Sequence, residues 1–102
     1  MIIMTTENPG KDFEPLGLVR GSTIKSKHFG KDMMAGFKTM VGGELKGYTD
    51  MMEEARESAI SRMTKQAETL GADAIIGMRF TSSSVVQGAA EVTCYGTAVK
   101  YK

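Results

Sequence analysis

The residues best suited to bind a soft metal are scarce, because the chain has one cysteine, Cys94, and one histidine, His28. Zinc sites in proteins combine several Cys and His residues at short spacings, whereas these two lie far apart in the sequence. The sequence therefore predicts no metal site built by one chain. It leaves open a site shared between subunits, where symmetry would gather ligands. His28 itself, between Lys27 and Phe29, is predicted to be a surface residue.

Cys94 is also the only thiol that could act as a nucleophile, and strand alternation argues against that role. In the final segment, AAEVTCYGTAVKY, alternate residues of one face are all small or apolar: Ala90, Val92, Cys94, Gly96 and Ala98. A free cysteine in such company behaves as a small hydrophobic residue. No cationic side chain lies close to it in the sequence to lower its pKa. The pattern predicts that Cys94 packs in the core, beneath the helices.

The nine methionines offer thioether sulfur, which binds copper(I). Most of them fall on apolar stripes with helical spacing: Met33, Met34, Met40, Met51, Met52 and Met63. Methionine fills irregular gaps in cores and suits subunit interfaces. The spacing therefore favours a packing role over a copper site.

A basic run lies between Arg20 and Lys38, with Asp32 as its only acidic residue. We interpret it as a solvated face, and the alternative is an anion or nucleotide site helped by the start of a helix. The nearby VGGELKG segment lacks the GK[ST] ending of a phosphate-binding loop. The sequence pairs no nucleophile with a general base, so we expect a protein without catalytic activity.

Length and composition predict one domain over residues 1–102, since the chain is too short for a second core. The formal net charge of +1 gives no reason to expect binding to nucleic acid or to an anionic membrane. We find neither a bilayer-spanning apolar stretch nor the pattern of a signal peptide. With a single cysteine, a cytoplasmic location is expected.

Hydrophobic periodicity predicts the elements. Apolar residues at three- and four-residue steps indicate two helices, and alternation with turn signals indicates the strands. The predicted order is a short N-terminal strand in MIIMTT, a strand over 16–24, helices over 29–41 and 48–70, and two final strands in ADAIIGMRF and AAEVTCYGTAVKY.

Local signals refine these elements. Gly17 and Gly21 predict bulges, or a backbone on which a neighbour presses closely. Asp50, with Glu53 three residues later, is predicted to cap the second helix, and Gly71 to end it. In ADAIIGMRF, alternation predicts one apolar face: Ala74, Ile76, Met78 and Phe80.

The loop between the last two strands is too short for a crossover helix, so these strands should be antiparallel neighbours. The sequence thus predicts a two-layer α+β domain of the order β-α-α-β-β. A small antiparallel sheet would carry two helices on one face.

Five stretches, in order along nearly the whole chain, match the motifs of a known family: LGLVRG (16–21), VGGELKGYT (41–49), the helix around 53–63, LGADAIIGMRF (70–80) and YGTAV (95–99). By these motifs the chain resembles the YbjQ family of small bacterial proteins, which are labelled as heavy-metal-binding domains. The resemblance implies a dodecin-like subunit that assembles into an oligomeric ring, with a pentamer expected. This chain has Cys94 where the family pattern has an apolar residue such as alanine. If the two are interchangeable, Cys94 is not an essential ligand.

The family motifs single out polar residues that a monomer explains poorly: Arg20, Glu44, Tyr48, Arg56 and Arg79. We favour a role in ion pairs and caps that fix the subunit contacts, and the alternative is a ligand site. The first hypothesis is therefore a cytoplasmic homo-oligomer without catalysis. The second is a module that binds a metal or a small anion at subunit interfaces, with Cys94 and His28 as the only soft candidates. Neither hypothesis names a cofactor.

Overall fold

The computed structural model describes residues 1–26, 43–86 and 89–102. The predicted helix over 29–41 and His28 lie outside these ranges. The described elements, in chain order, are β1 (Ile2–Ile3), β2 (Phe13–Ser26), α1 (Gly43–Thr69), β3 (Ala74–Val86) and β4 (Ala89–Tyr101).

The strands form one four-stranded sheet in the order β1-β3-β4-β2. Both β2 and β3 pair with β4 in antiparallel fashion, which confirms the predicted pairing of the last two strands. The prediction of a purely antiparallel sheet is wrong, because β1 runs parallel to β3. β1 pairs with a strand that comes much later in the chain, so no short loop fixes its direction. Its two residues are also too few to show a pattern from which the direction could be predicted. The α+β class itself is confirmed, with one helix in the described ranges.

One face of α1 buries small residues against the sheet, at the helical spacing that the sequence predicts. Four residues at successive four-residue steps are fully buried: Ala55, Ala59, Met63 and Ala67. They share one apolar cluster with Val19 of β2 and Cys94 of β4. The three alanines let the helix backbone come close to the strands, and Met63 fills the remaining space.

The predicted end of α1 is confirmed and the predicted start is wrong. Gly71 has φ of 76°, and the amides of Gly71 and Ala72 donate to the carbonyls of Glu68 and Ala67 at 2.9 and 3.1 Å. This is the Schellman arrangement that a glycine just past a helix favours. The helix begins at Gly43, so Asp50 lies inside it and cannot act as its cap. Packing of the later turns outweighs the cost of about 1 kcal/mol that each glycine in the first turns imposes.

Both predictions for the glycines of β2 are confirmed. The register of β2 against β4 shifts between Pro15 and Gly17, which marks a bulge. Gly21 lies directly beneath α1, where an added Cβ would overlap the backbone of Ala59 and Met63. Only a residue without a side chain allows the helix to approach β2 this closely.

The predicted apolar face of β3 is wrong because a bulge interrupts the alternation. The register of β3 against β4 shifts between Ile76 and Arg79, and Gly77 has φ of 64° there. Before the bulge Ile75 faces α1, and after it Met78 faces the same side. Ile76 belongs to a separate cluster on the opposite face. The bulge therefore joins two strand segments whose alternation is out of phase.

The helix covers one face of the sheet, and we call the opposite side the outer face. A small apolar cluster covers one end of the outer face, made of Ala74, Ile76, Val99, Met4, Phe13 and Tyr101. The rest carries exposed or half-buried residues: Leu18, Arg20, Ser22 and Ile24 of β2, Thr93, Tyr95 and Thr97 of β4, and Arg79 and Thr81 of β3. Among the residues that the structure describes, no helix is both long and apolar enough to cross a bilayer.

Candidate functional site

The sheet separates the residues that the family motifs single out. Arg20 and Arg79 lie on the outer face, whereas Tyr48 and Arg56 belong to α1 on the other side. Glu44 lies in the first turn of α1, and its side chain is outside the described part. These residues therefore do not form one site within a single chain. The pair that shares a face is Arg20 and Arg79.

Strand register brings these two arginines to either side of one aromatic residue. Tyr95 of β4 pairs with Arg20 of β2 and with Arg79 of β3. Residues paired across neighbouring strands point to the same face, with strands about 4.8 Å apart. The Cα atoms of the two arginines are thus about 10 Å apart with the tyrosine between them. We call Arg20, Tyr95 and Arg79 the arginine row.

Hydrogen bonds position one of the two guanidinium groups. Nη1 of Arg79 donates to the carbonyl of Thr5 at 2.9 Å and to its neighbour Met78 at 2.8 Å. The N-terminal segment stays beside β3 through further backbone bonds, including Met78 N–H to Met4 at 3.1 Å. The bonds to Arg79 leave its Nε and Nη2 groups for another partner.

Arg20 is held through its backbone, and its side chain is exposed. Its amide donates to Oε1 of Gln66 at 2.7 Å, and a guanidinium nitrogen of Arg62 donates to the carbonyl of Ser22. Two side chains of α1 thus satisfy backbone groups at the outer edge of β2, an edge that would otherwise be free to pair with another chain. In the parts of the chain described, the one ion pair joins Lys100 to Asp73, so Arg20 has no acidic partner there.

Hydroxyl groups line the next row of the outer face. Thr93 pairs with Ser22 and Thr81, and the hydroxyls of Ser22 and Thr93 are 2.8 Å apart. The acidic residue closest along β4 on this face, Glu91, lies one pair further on. The arginine row therefore has neutral polar neighbours on this side.

Tyr95 was missed as a candidate by reasoning from the sequence. Alternation places it on the polar side of β4, but its position between two arginines depends on the register of both neighbouring strands. The bulge at Gly77 sets the register of Arg79. A glycine inside an otherwise apolar strand is the one signal that could have suggested this shift.

Arg56 lies in a different environment, in an open pocket of about 480 Å³ between α1 and β3. Its lining also includes Glu53, Glu57, Ile60 and Phe80. Two carboxylates flank one guanidinium there, so the pocket does not favour an anion. Tyr48 is half-buried in the second turn of α1.

The predicted packing role of Cys94 is confirmed. Its side chain is fully buried in the cluster beneath α1. Burial raises the pKa of the Cys94 thiol above its ordinary value, and hydrogen bonds with the backbone of Gly21 and of Cys94 itself oppose this only in part. The thiol is therefore neutral at physiological pH and inaccessible as a ligand or nucleophile.

The predicted basic run is divided by strand alternation. Arg20 lies on the outer face, and Lys25 pairs with Ala90 on the side of α1. The remaining lysines of the run, Lys27, Lys31 and Lys38, are outside the described residues. The described part of the run forms no single cationic surface.

Comparison with known proteins gives close relatives whose names state no activity. The chain is 59% identical over 104 residues to a UPF0145 protein of Thermosipho africanus, covering 100% of this chain and 96% of the relative. It is 56% identical over 101 residues to a UPF0145 protein of Clostridium novyi, covering 98% of both. A crystal structure of a protein of unknown function from Pediococcus pentosaceus, assigned to the DUF74 family, shares the fold. Its TM-score is 0.65 at 18% identity, over 100% of this chain and 98% of that one.

The YbjQ family model, described as "Putative heavy-metal-binding", matches residues 1–102. The described residues do not fit that description, since they hold no cluster of three or more His, Cys, Asp or Glu side chains able to bind a metal ion. Their one thiol is buried and neutral. The match over the whole length, together with the close relatives, shows that this chain belongs to the YbjQ family.

Proposed function

We propose that this chain is the subunit of a cytoplasmic homo-oligomer, with a pentameric ring as its expected form, and that it has no catalytic activity of its own. The observation that carries the proposal is the exposure of large aliphatic residues on the outer face. Leu18 is 67% exposed and Ile24 is 60% exposed, both on β2. A second copy of the chain is the occupant that would bury them.

The shape of the subunit supports association. Its principal extents are 57 × 21 × 17 Å, and its radius of gyration is 17.2 Å. A compact domain of this length has a radius of gyration of about 13 Å. An elongated subunit with a single-layer sheet leaves much of its surface unburied, which a neighbouring copy can cover.

The positions of the two aliphatic residues suit a broad contact. They lie six residues apart on one strand, about 20 Å at the rise of a β-strand. Fully burying each side chain would contribute about 1.5–3 kcal/mol to association. Contacts at both ends of this stretch would place Arg20, which lies between them on the same face, within the subunit contact.

The chemistry of the described groups supports the proposal that the chain has no catalytic activity of its own. The nucleophile Cys94 is buried as a neutral thiol, and the outer face presents guanidinium, phenol and hydroxyl groups suited to binding. The names of the relatives do not state an enzymatic activity.

Sedimentation velocity and native mass spectrometry test the assembly. The 11.0 kDa chain should sediment as a complex of about 55 kDa for a pentamer. The double substitution Leu18→Glu with Ile24→Glu should yield folded monomer, because it places charge at both apolar contacts. Leu70→Glu is the matched control, since Leu70 is 45% exposed at the end of α1, and the complex should persist.

Circular dichroism on the same samples shows whether each variant is folded. A wild-type chain that stays monomeric at tens of micromolar would refute the proposal. A double variant that is folded and still fully assembled would show that the outer face is not the interface.

A further inference from the structure

We propose that the open pocket between α1 and β3 is a groove that receives β2 of the neighbouring copy in the assembly. Ile24 of one copy would pack on Ile60 and Phe80 of the next copy. Arg20, on the same strand as Ile24, would form an ion pair with Glu53. The inference rests on the proposed assembly, and it names the surface that the outer face of β2 meets.

A closed ring requires two different surfaces on every subunit. In a head-to-tail contact, one patch of a subunit meets another patch of its neighbour, and the series of contacts can close into a ring. The exposed aliphatic residues of β2 supply one patch. The groove lies elsewhere on the subunit, because β4 separates β3 from β2 and Phe80 faces the side of α1. The two surfaces therefore have the separation that a head-to-tail contact needs.

The groove holds an aromatic residue that its own subunit leaves partly uncovered. Phe80 pairs with the buried Cys94 and faces the side of α1, yet it is 42% exposed. The reason is that α1 packs over β2 and β4 rather than over β3. Ile60 of α1 lies beside it and is half-buried. The volume of about 480 Å³ leaves room for an aliphatic side chain between these two residues.

Charge is also complementary between the two surfaces. Two carboxylates and one guanidinium line the groove, so its net charge is negative. Arg20 lies between the exposed Leu18 and Ile24 on the outer face of β2. In the described ranges the ion pair is that of Lys100 with Asp73, so neither Arg20 nor Glu53 has an ion-pair partner there. Opposite charges on two surfaces favour the correct partner and orientation.

The spacing of the apolar and charged groups agrees between the two surfaces. Arg20 and Ile24 are four residues apart on a strand, about 13 Å. Glu53 and Ile60 are seven residues apart on a helix, about 10.5 Å along its axis. The long, flexible side chain of arginine can span the remaining distance of about 3 Å. One strand laid along α1 can therefore make both contacts at once.

Sedimentation velocity of the full-length protein tests the apolar contact. Phe80→Glu should weaken assembly by about thirtyfold or more, as the loss of an aromatic anchor at the centre of an interface does. Leu70→Glu is the matched control, because Leu70 is exposed to a similar extent and does not line the groove. This variant should assemble as the wild type does.

Charge reversal tests the ion pair at an exposed residue, where folding is little affected. Glu53→Arg should weaken assembly by about tenfold, because it brings like charges together. Arg20→Glu should have the same effect, and the two substitutions combined should restore assembly. Glu54→Arg is the control, since Glu54 is an exposed neighbour on α1 that does not line the groove.

Mixing two monomeric variants identifies the surfaces that meet. The double variant Leu18→Glu with Ile24→Glu keeps an intact groove, and Phe80→Glu keeps an intact β2. An equimolar mixture should form a heterodimer of about 22 kDa, twice the mass of the 11.0 kDa chain, and no larger complex.

Circular dichroism shows which variants are folded, and Glu53→Arg with Arg20→Glu decides the matter if Phe80→Glu is not. The inference is overturned if the folded groove variants assemble as the wild type does, or if the mixture stays monomeric. Either result with an assembled wild type refutes only this contact. A wild-type chain that is itself monomeric refutes the proposed assembly as well.

Discussion

Gly21 and Ser22 are neighbours in β2, yet they belong to regions with opposite properties. Gly21 lies under α1, where no room exists for a Cβ atom, whereas Ser22 is exposed on the outer face. The same contrast holds along β4, where Cys94 is fully buried and Tyr95 is 41% exposed. One face of the sheet is a closely packed core, and the other is largely available to a partner.

The difference indicates that the two faces of the sheet contribute differently to the stability of the subunit. The helix side contributes most of the apolar burial that stabilises the subunit, so its residues are constrained by size. The outer face contributes less to folding, so its residues are free to serve recognition. Its exposed aliphatic residues are the ones that the proposed assembly would bury.

The largest effect should come from filling the space under α1. Gly21→Ala places a methyl group against backbone atoms of Ala59 and Met63, which cannot move aside as a flexible side chain can. Overpacking of cores costs about 1–3 kcal/mol and sometimes more, and this site should reach or exceed the upper value. Urea denaturation monitored by circular dichroism measures the loss in the free energy of unfolding.

Ser22→Ala is the matched control for that experiment. It removes one exposed hydrogen bond, to Thr93, and should cost at most about 1 kcal/mol. Equal losses in the two variants would contradict the contrast between the faces.

The sequence predicts the packed face well, because that face depends on local periodicity. The four-residue spacing of Ala55, Ala59, Met63 and Ala67 and the alternation around Cys94 both survive in the structure. The start of α1 could not be predicted, since helix packing overrides the glycines near Gly43. The face of β3 was mispredicted because one bulge at Gly77 reverses the alternation, and bulges respond to the pairing of strands.

An intermediate effect should come from a substitution at the edge of β2. It tests whether α1 also stabilises this edge of the sheet. Gln66→Ala removes the acceptor of the Arg20 amide, a bond of 2.7 Å at the outer edge of the sheet. The loss should be about 0.5–1.5 kcal/mol, because the amide can still bind water. Hydrogen exchange of the Arg20 amide should become faster by about tenfold.

Lys65→Ala is the control, since Lys65 is an exposed neighbour of Gln66 on α1 and touches no backbone group of β2 in the described contacts. Unchanged exchange at Arg20 in the Gln66 variant would show that the helix does not protect this edge.

The candidate site was less accessible to sequence reasoning than the core. Arg20 and Arg79 were both named as candidates, yet nothing local shows that they flank Tyr95. That arrangement needs the strand order β3-β4-β2 and the registers of two pairs. Tyr48 and Arg56 were grouped with them by motif alone, and the sheet separates them. Long-range pairing, which a single sequence does not encode locally, decides which residues meet.

The smallest effect should come from the thiol of Cys94, and it appears only at alkaline pH. Burial raises the pKa of the Cys94 thiol above the ordinary value of 9.0 that it has in the unfolded chain. Well below pH 9 the thiol is protonated in both states and adds no pH dependence. Above it, the unfolded chain ionises first, so the free energy of unfolding falls as pH rises toward the folded pKa. Urea denaturation from pH 7 to about 10.5 should therefore show wild type losing stability relative to Cys94→Ala. A difference in stability that stays constant with pH would mean that the Cys94 thiol ionises as easily in the folded chain as in the unfolded chain. That result would contradict its burial beneath α1 and the contrast between the two faces.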